Sequence, residues 1–331
     1  MSLLAKSSSV AKVEGPELAN IPDNPVPEGA RAGYFETQDR VRLRYATFPA
    51  LGQKKRGTIC LVHGRTEYIE KYFETIVDFQ NRGFNVATFD WRGQGGSDRL
   101  IGNPKLGYVE DFDDYVTDLV DFHAQILLPD CPPPYFLVGH SMGGLVSLFV
   151  STRDQLMFDR VFLGSPMVSV DSGVSLSTAA TILGAGKYLG LGQLPLNPWN
   201  FKHPSAATFP GNDITSDHKR YMRMVKTLNH RPDLEIAAPS IGWGAASFKA
   251  MLKANSSEFP SQIRLPVLML AAASDRVVST SATEQLGISM RIGRHAVLPN
   301  SRHEIFMETD AIRAQALAAF DAFITEQTKA L

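Results

Sequence analysis

Residues 134–143 read Pro134-Tyr135-Phe136-Leu137-Val138-Gly139-His140-Ser141-Met142-Gly143. An apolar run stops here at a serine that stands between two glycines. This pattern is typical of a nucleophile elbow, a sharp turn from strand to helix that presents the serine hydroxyl. Glycine suits both flanking positions because it tolerates tight dihedrals and has no side chain to crowd the neighbouring backbone. The apolar residues from 144 to 150 then predict a buried helix.

Short apolar runs recur on both sides of the elbow, and stretches with helical periodicity separate them. Apolar side chains on both faces of a strand are typical of a mainly parallel sheet covered by helices on both faces. We therefore predict an α/β fold with a mostly parallel eight-stranded sheet. The predicted strands are 33–37, 41–46, 58–62, 85–89, 134–138, 160–164, 267–271 and 295–298, and the main predicted helices are 67–82, 113–127 and 311–329.

The alternation of strands and helices is interrupted over residues 167–247. Eighty residues are too many for a plain connection, so we predict a helical cap inserted over the carboxyl edge of the sheet. The expected organisation is an N-terminal arm (1–30), a first core part (31–166), the cap (167–247) and a second core part (248–331).

The first half of the predicted cap is unusually apolar, because Lys187 is the only charged residue between Asp171 and Lys202. Two interpretations stay open. The segment is either a helix packed inside the cap or an apolar lid that contacts acyl chains or a bilayer surface.

Composition limits the possible functions. The net charge is -1 and no long basic run occurs, so nucleic acid is not an expected partner. The two cysteines, Cys60 and Cys131, lie in no His/Cys cluster, which disfavours zinc and a disulfide framework and favours a reducing compartment. No apolar run has the length of a membrane span and no secretory signal is recognisable. We expect a cytoplasmic protein, with peripheral contact to the inner membrane through the cap left open.

A serine hydroxyl becomes a good nucleophile only when a base removes its proton. Two later positions fit the partners, since each follows the carboxyl end of a predicted strand, where open α/β sheets place their ligands. Asp275 follows the strand 267–271, and His303 follows the strand 295–298. His303 would take the proton of Ser141, and Asp275 would orient the imidazole and stabilise its charge. His140, inside the elbow, is a poor base for Ser141 because of its backbone position.

His63-Gly64-Arg65 ends another predicted strand and can present a backbone amide to a developing oxyanion. The amides of Arg65 and Met142 are the candidate oxyanion hole. The glycine-rich loop 90–97 does not match a dinucleotide site, because Asp98 stands where the third glycine belongs. Leu145-Val146 likewise excludes a phosphate-binding loop after the elbow. No nucleotide, cofactor or metal is expected.

Five motifs in order resemble the monoacylglycerol lipase and bacterial lysophospholipase branch of the α/β-hydrolases, over roughly residues 31–331. They are His63-Gly64-x-x-Glu67-x-x-x-Lys71-Tyr72, Asp90-x-Arg92-Gly93-x-Gly95-x-Ser97, Gly139-His140-Ser141-Met142-Gly143-Gly144, Ser274-Asp275-Arg276 and His303. The stretches 31–35, 242–244 and 301–304 lean toward the bacterial lysophospholipases. The resemblance implies Ser141, Asp275 and His303 as the triad, and the Arg65 and Met142 amides as the oxyanion hole.

The first motif departs from the monoacylglycerol lipases. Tyr68 and Lys71 stand where those enzymes commonly carry a second histidine and an arginine. The leading hypothesis is therefore a serine esterase that cleaves a single-chain lipid ester, above all a lysophospholipid, through an acyl-enzyme. Glu67, Lys71, Arg276 and Arg302 are the candidate substrate-binding residues. The alternatives are a monoacylglycerol lipase, a short-chain carboxylesterase, an aminopeptidase or a non-catalytic binding protein of the same fold.

Overall fold

The strands of the central sheet are short and apolar on both faces. In β3, Cys60 and Val62 pack into one hydrophobic core, and Ile59 and Leu61 pack into a second core on the opposite face. The computed structural model describes residues 16–52, 54–171, 173–198 and 203–325. Its eight main strands are β1 (Arg31–Glu36), β2 (Arg42–Phe48), β3 (Thr58–Val62), β4 (Asn85–Phe89), β5 (Tyr135–His140), β6 (Arg160–Gly164), β7 (Val267–Ala272) and β8 (Gly293–Leu298).

The strands form one sheet in the order β1-β2-β4-β3-β5-β6-β7-β8. Only the pairs β1–β2 and β2–β4 are antiparallel, and the other neighbours in this sheet are parallel. A second, two-stranded pairing joins Leu106–Gly107 to Ala238–Pro239. The prediction of a mostly parallel eight-stranded sheet is confirmed.

Helices cover both faces of the sheet. Among the described residues the eight longer helices are α1 (Phe73–Asn81), α2 (Phe112–Phe122), α3 (Ser141–Arg153), α4 (Leu176–Gly186), α5 (His218–His230), α6 (Ile241–Ala254), α7 (Thr280–Ser289) and α8 (Asp310–Thr325). Residues of α1 and α8 enter one core, whereas residues of α2, α3, α6 and α7 enter the other. Shorter helical turns are Ile69–Tyr72, His123–Leu127, Leu128–Asp130, Lys187–Leu191, Pro204–Ala206, Pro232–Leu234, Phe259–Gln262 and Ile305–Met307.

The predicted start of the first helix was wrong. The helix predicted from residue 67 begins at Ile69 with a single tight turn and becomes α-helical only at Phe73. Glu67 and Tyr68 lie before it because their side chains are used in buried contacts of the loop. The C-terminal helix is described to Thr325, and the rest of its predicted range lies outside the described residues.

The chain between β6 and β7 (residues 165–266), called the insert below, contains α4, α5 and α6. Its helices reach the carboxyl ends of the strands, since Tyr68 after β3 donates a hydrogen bond to the Met224 carbonyl of α5 (3.2 Å). The predicted cap boundary at 247 falls inside α6, so the helix continues across it. The division of the chain into core and cap stays a prediction, and most of the predicted arm (1–15) lies outside the described residues.

The apolar first half of the insert lies at the surface. In α4 only Ala179 is buried, and in the following turn Tyr188 and Leu189 are 91% and 73% exposed. One face of α4 packs against the core through the partly buried Leu176, Ala180 and Leu183, whereas the turn after it is exposed, so each of the two interpretations describes a part of this segment. None of the described helices is long and apolar enough to cross a bilayer.

Candidate active site

The turn from β5 into α3 positions Ser141. This serine is the first residue of α3 and has a φ of 50°, in the left-handed region that non-glycine residues rarely occupy. Such strain concentrates at functional sites. Gly143 is required for close packing, because a Cβ there would lie 2.5 Å from the His63 carbonyl oxygen. The strand–turn–helix expected of a nucleophile elbow is thus present.

Loops after two further strands bring His303 and Asp275 to this serine. His303 Nε2 lies 3.0 Å from Ser141 Oγ, and His303 Nδ1 lies 2.9 Å from Asp275 Oδ2. The side chains of His303 and Asp275 are buried, and Ser141 is buried as well. The three residues selected from the sequence therefore form one hydrogen-bonded line from hydroxyl to carboxylate.

The environment of Asp275 keeps its carboxyl group ionised. Burial opposes the charged form, but the hydrogen bond from His303 and the backbone N–H groups of Val277 and Val278 outweigh it and lower the pKa of Asp275. An ionised Asp275 accepts a hydrogen bond from the Nδ1–H group of His303. Nε2 is then free to accept the proton of the Ser141 hydroxyl.

Two backbone amides adjoin the serine. Met142 follows Ser141 in the first turn of α3, where helix amides have no partner within the helix. Arg65 follows Gly64, whose hypothetical Cβ would lie 3.1 Å from the Ser141 Cβ. Within the described ranges neither amide donates a hydrogen bond. Both can donate to an oxygen that becomes negative beside Ser141.

Glu67 and Lys71 lie under the Gly64–Arg65 loop and make their contacts with protein groups. Glu67 accepts the backbone N–H of Gly64 and a hydrogen bond from the Tyr72 hydroxyl (2.8 Å). Lys71 Nζ contacts Glu67 Oε1 (3.0 Å) and Glu304 Oε1 (2.6 Å). Burial opposes the ionisation of Glu67, but Lys71 and His140 hold its pKa well below its usual range. These two predicted substrate contacts thus lie in a buried charge network.

Arg276 directly follows Asp275 in the chain, and Arg302 directly precedes His303. The Arg276 side chain is 80% exposed and is 3.7 Å from Asp213. Arg302 donates from Nη1 to the carbonyl oxygens of Asn212 (2.9 Å) and Thr215 (3.0 Å). Arg302 is therefore held by the insert, whereas Arg276 is the more accessible of the two.

Sequence reasoning missed three residues that hold the site together. His140 Nε2 lies 3.2 Å from the His303 carbonyl oxygen. Gln94 accepts the N–H of Thr66 (3.0 Å) and donates to the carbonyl of Gly64 (3.2 Å), which fixes the loop that carries Arg65. Glu304 pairs with Lys71. All three lie within the stretches quoted for the family resemblance, and this position was the sequence signal that could have indicated them. Within the described residues no cluster of His, Cys, Asp or Glu could hold a metal ion.

Comparisons with known proteins show which family this chain resembles. A family model described as serine aminopeptidase, S33, matches residues 53–310. Lysophospholipase L2 of Escherichia coli strain K12 is 30% identical over 307 residues, which cover 87% of this chain and 86% of that protein. Monoglyceride lipase of Mus musculus is 25% identical and covers 81% and 85% of the two chains. A soluble variant of monoglyceride lipase from Saccharomyces cerevisiae, solved with a substrate analogue, superimposes with a TM-score of 0.70 at 18% identity, covering 89% and 95%.

Proposed function

Because this chain belongs to the serine aminopeptidase S33 family of α/β-hydrolases, we propose that it is a serine hydrolase that cleaves the carboxylic ester of a lysophospholipid. The observation that carries this proposal is the aligned contact of Ser141, His303 and Asp275, at 3.0 Å and 2.9 Å. The similarity to lysophospholipase L2 over most of both chains supports the choice of substrate.

In the first half of the reaction Ser141 Oγ attacks the ester carbonyl carbon while His303 Nε2 takes the hydroxyl proton. The amides of Arg65 and Met142 stabilise the negative carbonyl oxygen of the tetrahedral intermediate. His303 then gives its proton to the departing glycerol oxygen, and the acyl group stays on Ser141. Asp275 stabilises the imidazolium throughout.

In the second half a water molecule attacks the acyl-enzyme. His303 accepts a proton from this water, and the same two amides hold the oxyanion again. Collapse of the intermediate returns the proton to Ser141 and releases the fatty acid. No cofactor takes part in these steps.

The exposed apolar part of the insert supports work at a lipid surface. Ile182, Tyr188, Leu189 and Leu194 are each at least half exposed. Large exposed apolar patches mark sites of interaction with membranes or other proteins. The proposed location is the cytoplasm, with peripheral contact to the inner membrane through this segment, and the two free cysteines fit a reducing compartment.

The test compares rates of hydrolysis: fatty-acid release from lysophosphatidylcholine and monoolein, nitrophenol release from 4-nitrophenyl butyrate, and nitroaniline release from an amino-acid nitroanilide. The Ser141→Ala variant is the negative control, and its turnover should be lower than that of the wild-type protein by roughly a thousandfold or more. The proposal expects the highest kcat/KM with lysophosphatidylcholine. Turnover confined to monoolein would favour a monoacylglycerol lipase, and turnover of the nitroanilide alone would favour an aminopeptidase. Ser141-independent release would contradict serine catalysis.

A further inference from the structure

The side chain of Arg65 is unlike the other enclosed arginines of the described chain. Its Nη1 is shielded from solvent and has no hydrogen-bond partner among the described residues. Arg44, by contrast, pairs with Glu70 and Asp90, and Arg92 pairs with Asp118. A buried charge without a counter-ion is costly, so natural proteins normally pair it. Arg65 is partly exposed as a whole and makes no ion pair among the described residues, so the shielded Nη1 beside Ser141 requires an explanation.

A second donor lies next to this guanidinium. Arg65 Cζ is 5.2 Å from the ring centroid of Trp243, a residue of α6 in the insert. The indole Nε1 of Trp243 is also buried, and it too lacks a hydrogen-bond partner in the part of the chain described. The Trp243 backbone is fixed, since its N–H donates to the Ser240 hydroxyl that caps α6 (3.1 Å). The two unpartnered donors thus come from different parts of the fold, the loop after β3 and helix α6, and their side chains are in contact.

We propose that Arg65 Nη1 and Trp243 Nε1 bind the phosphodiester of the lysophospholipid headgroup. This inference rests on the proposed function and adds to it the residues that select a phosphate-bearing substrate. Phosphate oxygens accept hydrogen bonds and carry negative charge, so they satisfy both donors and supply the missing counter-ion.

The local electrostatics agree with an anionic ligand. Burial lowers the pKa of Arg65 to about 10, so the guanidinium is still charged near neutral pH. Burial also raises the pKa of Tyr115, whose ring lies near both groups, so its hydroxyl stays neutral and cannot act as their counter-ion. Trp243 Nε1 lies close enough to the Tyr115 hydroxyl to lower the pKa of that group, but the contact is not an aligned hydrogen bond, and Arg65 Nη1 has no hydrogen bond to Tyr115. The charge of Arg65 is thus left for a ligand.

The position of Arg65 also fits the length of the substrate. Its backbone amide is one of the two donors that face the ester oxygen in the proposed mechanism. The glycerol unit of a lysophospholipid separates the ester from the phosphate by a distance comparable to an extended arginine side chain. One residue can therefore hold the carbonyl oxygen with its main chain and the phosphate with its guanidinium.

The alternative arginines are less suitable. Arg302 already donates to the carbonyl oxygens of Asn212 and Thr215, which occupy its Nη1. Arg276 is 80% exposed, and an exposed charge contributes little to binding because water and salt screen it. The headgroup contact is therefore assigned to Arg65 rather than to Arg276 or Arg302.

The experiment measures binding of ligands that have no ester, by titration calorimetry below their critical micelle concentrations. The ligands are dodecylphosphocholine, 1-O-dodecylglycerol and dodecanoate. The variants are Arg65→Met, which keeps the backbone amide, and Trp243→Phe, which keeps an aromatic ring but removes the N–H. The matched control is Arg153→Met, since Arg153 forms only a surface ion pair with Asp113.

We expect Arg65→Met to weaken dodecylphosphocholine binding about tenfold to a hundredfold, and Trp243→Phe to weaken it about fivefold. Binding of 1-O-dodecylglycerol should change by less than about threefold, and Arg153→Met should change neither affinity. Equal losses for both uncharged and phosphate-bearing ligands would show a structural role and overturn the proposal. A loss confined to dodecanoate would assign the donors to the fatty-acid product. No loss at all would mean that the two donors hold only water.

This experiment distinguishes a failure of the proposed anion site from a failure of the proposed function. The ligands carry no ester, so their affinities do not depend on which ester the enzyme hydrolyses. A wild-type protein that binds dodecylphosphocholine through Arg65 yet hydrolyses only monoolein would contradict the function and retain the anion site. A protein that hydrolyses lysophosphatidylcholine without preference for the phosphate-bearing ligand would contradict the anion site alone.

Discussion

Glu67 Oε2 lies 3.1 Å from His140 Nδ1, which joins the loop after β3 to the nucleophile elbow although neither residue belongs to the triad. The same carboxylate accepts the N–H of Gly64, directly before the proposed oxyanion amide of Arg65. The other ring nitrogen of His140 faces the His303 carbonyl oxygen. One buried carboxylate therefore connects the oxyanion loop, the elbow and the histidine loop.

Replacing Glu67 should damage both stability and catalysis. In Glu67→Gln the charge that pairs with Lys71 and His140 is lost from a buried site, so we expect the free energy of unfolding to fall by about 3 kcal/mol. The oxyanion loop loses an anchor, so kcat should fall about tenfold or more. Urea denaturation and turnover of 4-nitrophenyl butyrate measure the two effects. Glu110→Gln, which breaks the surface pair with Lys187, is the control, and equal behaviour of the two variants would contradict this role.

The orienting role of Asp275 predicts a large loss of turnover without unfolding. In Asp275→Asn the amide no longer favours the His303 tautomer that accepts the Ser141 proton, so kcat should fall by about 10⁴. Asp213→Asn, a change at a half-exposed carboxylate beside Arg276, should have no comparable effect. Steady-state kinetics and circular dichroism distinguish the two variants. A loss smaller than tenfold in Asp275→Asn would assign the orientation of His303 to another group.

The sequence predicts the main sheet well because the patterns that define it are local. Each strand is a short apolar run, and the eight predicted runs overlap the eight main strands of the sheet. Asp275 and His303 were selected for the same reason, since the carboxyl ends of neighbouring parallel strands meet at one edge of a sheet. The structure brings both to Ser141, and their catalytic roles stay a prediction.

The contacts around that edge could not be predicted, because they join residues far apart in the chain. Lys71 was expected to meet substrate, but Glu304, 233 residues later, supplies a second carboxylate for it. The donors on Arg65 and Trp243 meet only after α6 has packed over the loop, and no local pattern indicates that pairing. The sequence also could not decide whether the apolar segment after Gly186 is exposed, since an apolar lid and a core helix have similar compositions.

A buried carboxylate near the site predicts the acid limit of stability. Burial opposes the charge of Asp90, but Arg44 and His63 outweigh it and lower its pKa to about 2. Since the folded pKa lies below the unfolded value of 3.8, this group stabilises the protein above about pH 4, and the contribution is lost as the pH falls toward 2. Between about pH 4 and pH 2 the free energy of unfolding should therefore fall by about 2 kcal/mol less in Asp90→Asn than in the wild-type protein. The free energies of unfolding of both proteins are measured by denaturation from pH 5 to pH 2. An equal dependence on pH in the two proteins would refute this prediction.

Two glycines in helices should respond oppositely to alanine. A Cβ at Gly143 would lie 2.5 Å and 2.6 Å from two backbone oxygens of β3 and its loop, so Gly143→Ala should destabilise the protein by about 2 kcal/mol or more and displace the elbow. Gly184 lies inside α4, where an added methyl group would meet only open space, so Gly184→Ala should stabilise by up to about 1 kcal/mol. Chemical denaturation and labelling of Ser141 by a fluorophosphonate test both. Retention of full labelling in Gly143→Ala would show that the elbow tolerates the extra atom.

The exposed apolar residues after α4 predict binding to lipid vesicles. Tyr188 and Leu189 are 91% and 73% exposed and lie next to Lys187, so entry into the interface would remove apolar area from water while the lysine stays near the headgroups. The double variant Tyr188→Ser, Leu189→Ser should reduce the partition coefficient onto phosphatidylglycerol–phosphatidylethanolamine vesicles by at least about tenfold. Leu156→Ser, a change at a 95% exposed leucine outside the insert, is the matched control. Turnover of the water-soluble ester should be retained in both variants, because neither site touches the triad. If both variants sediment with vesicles as well as the wild-type protein does, this segment does not carry membrane contact.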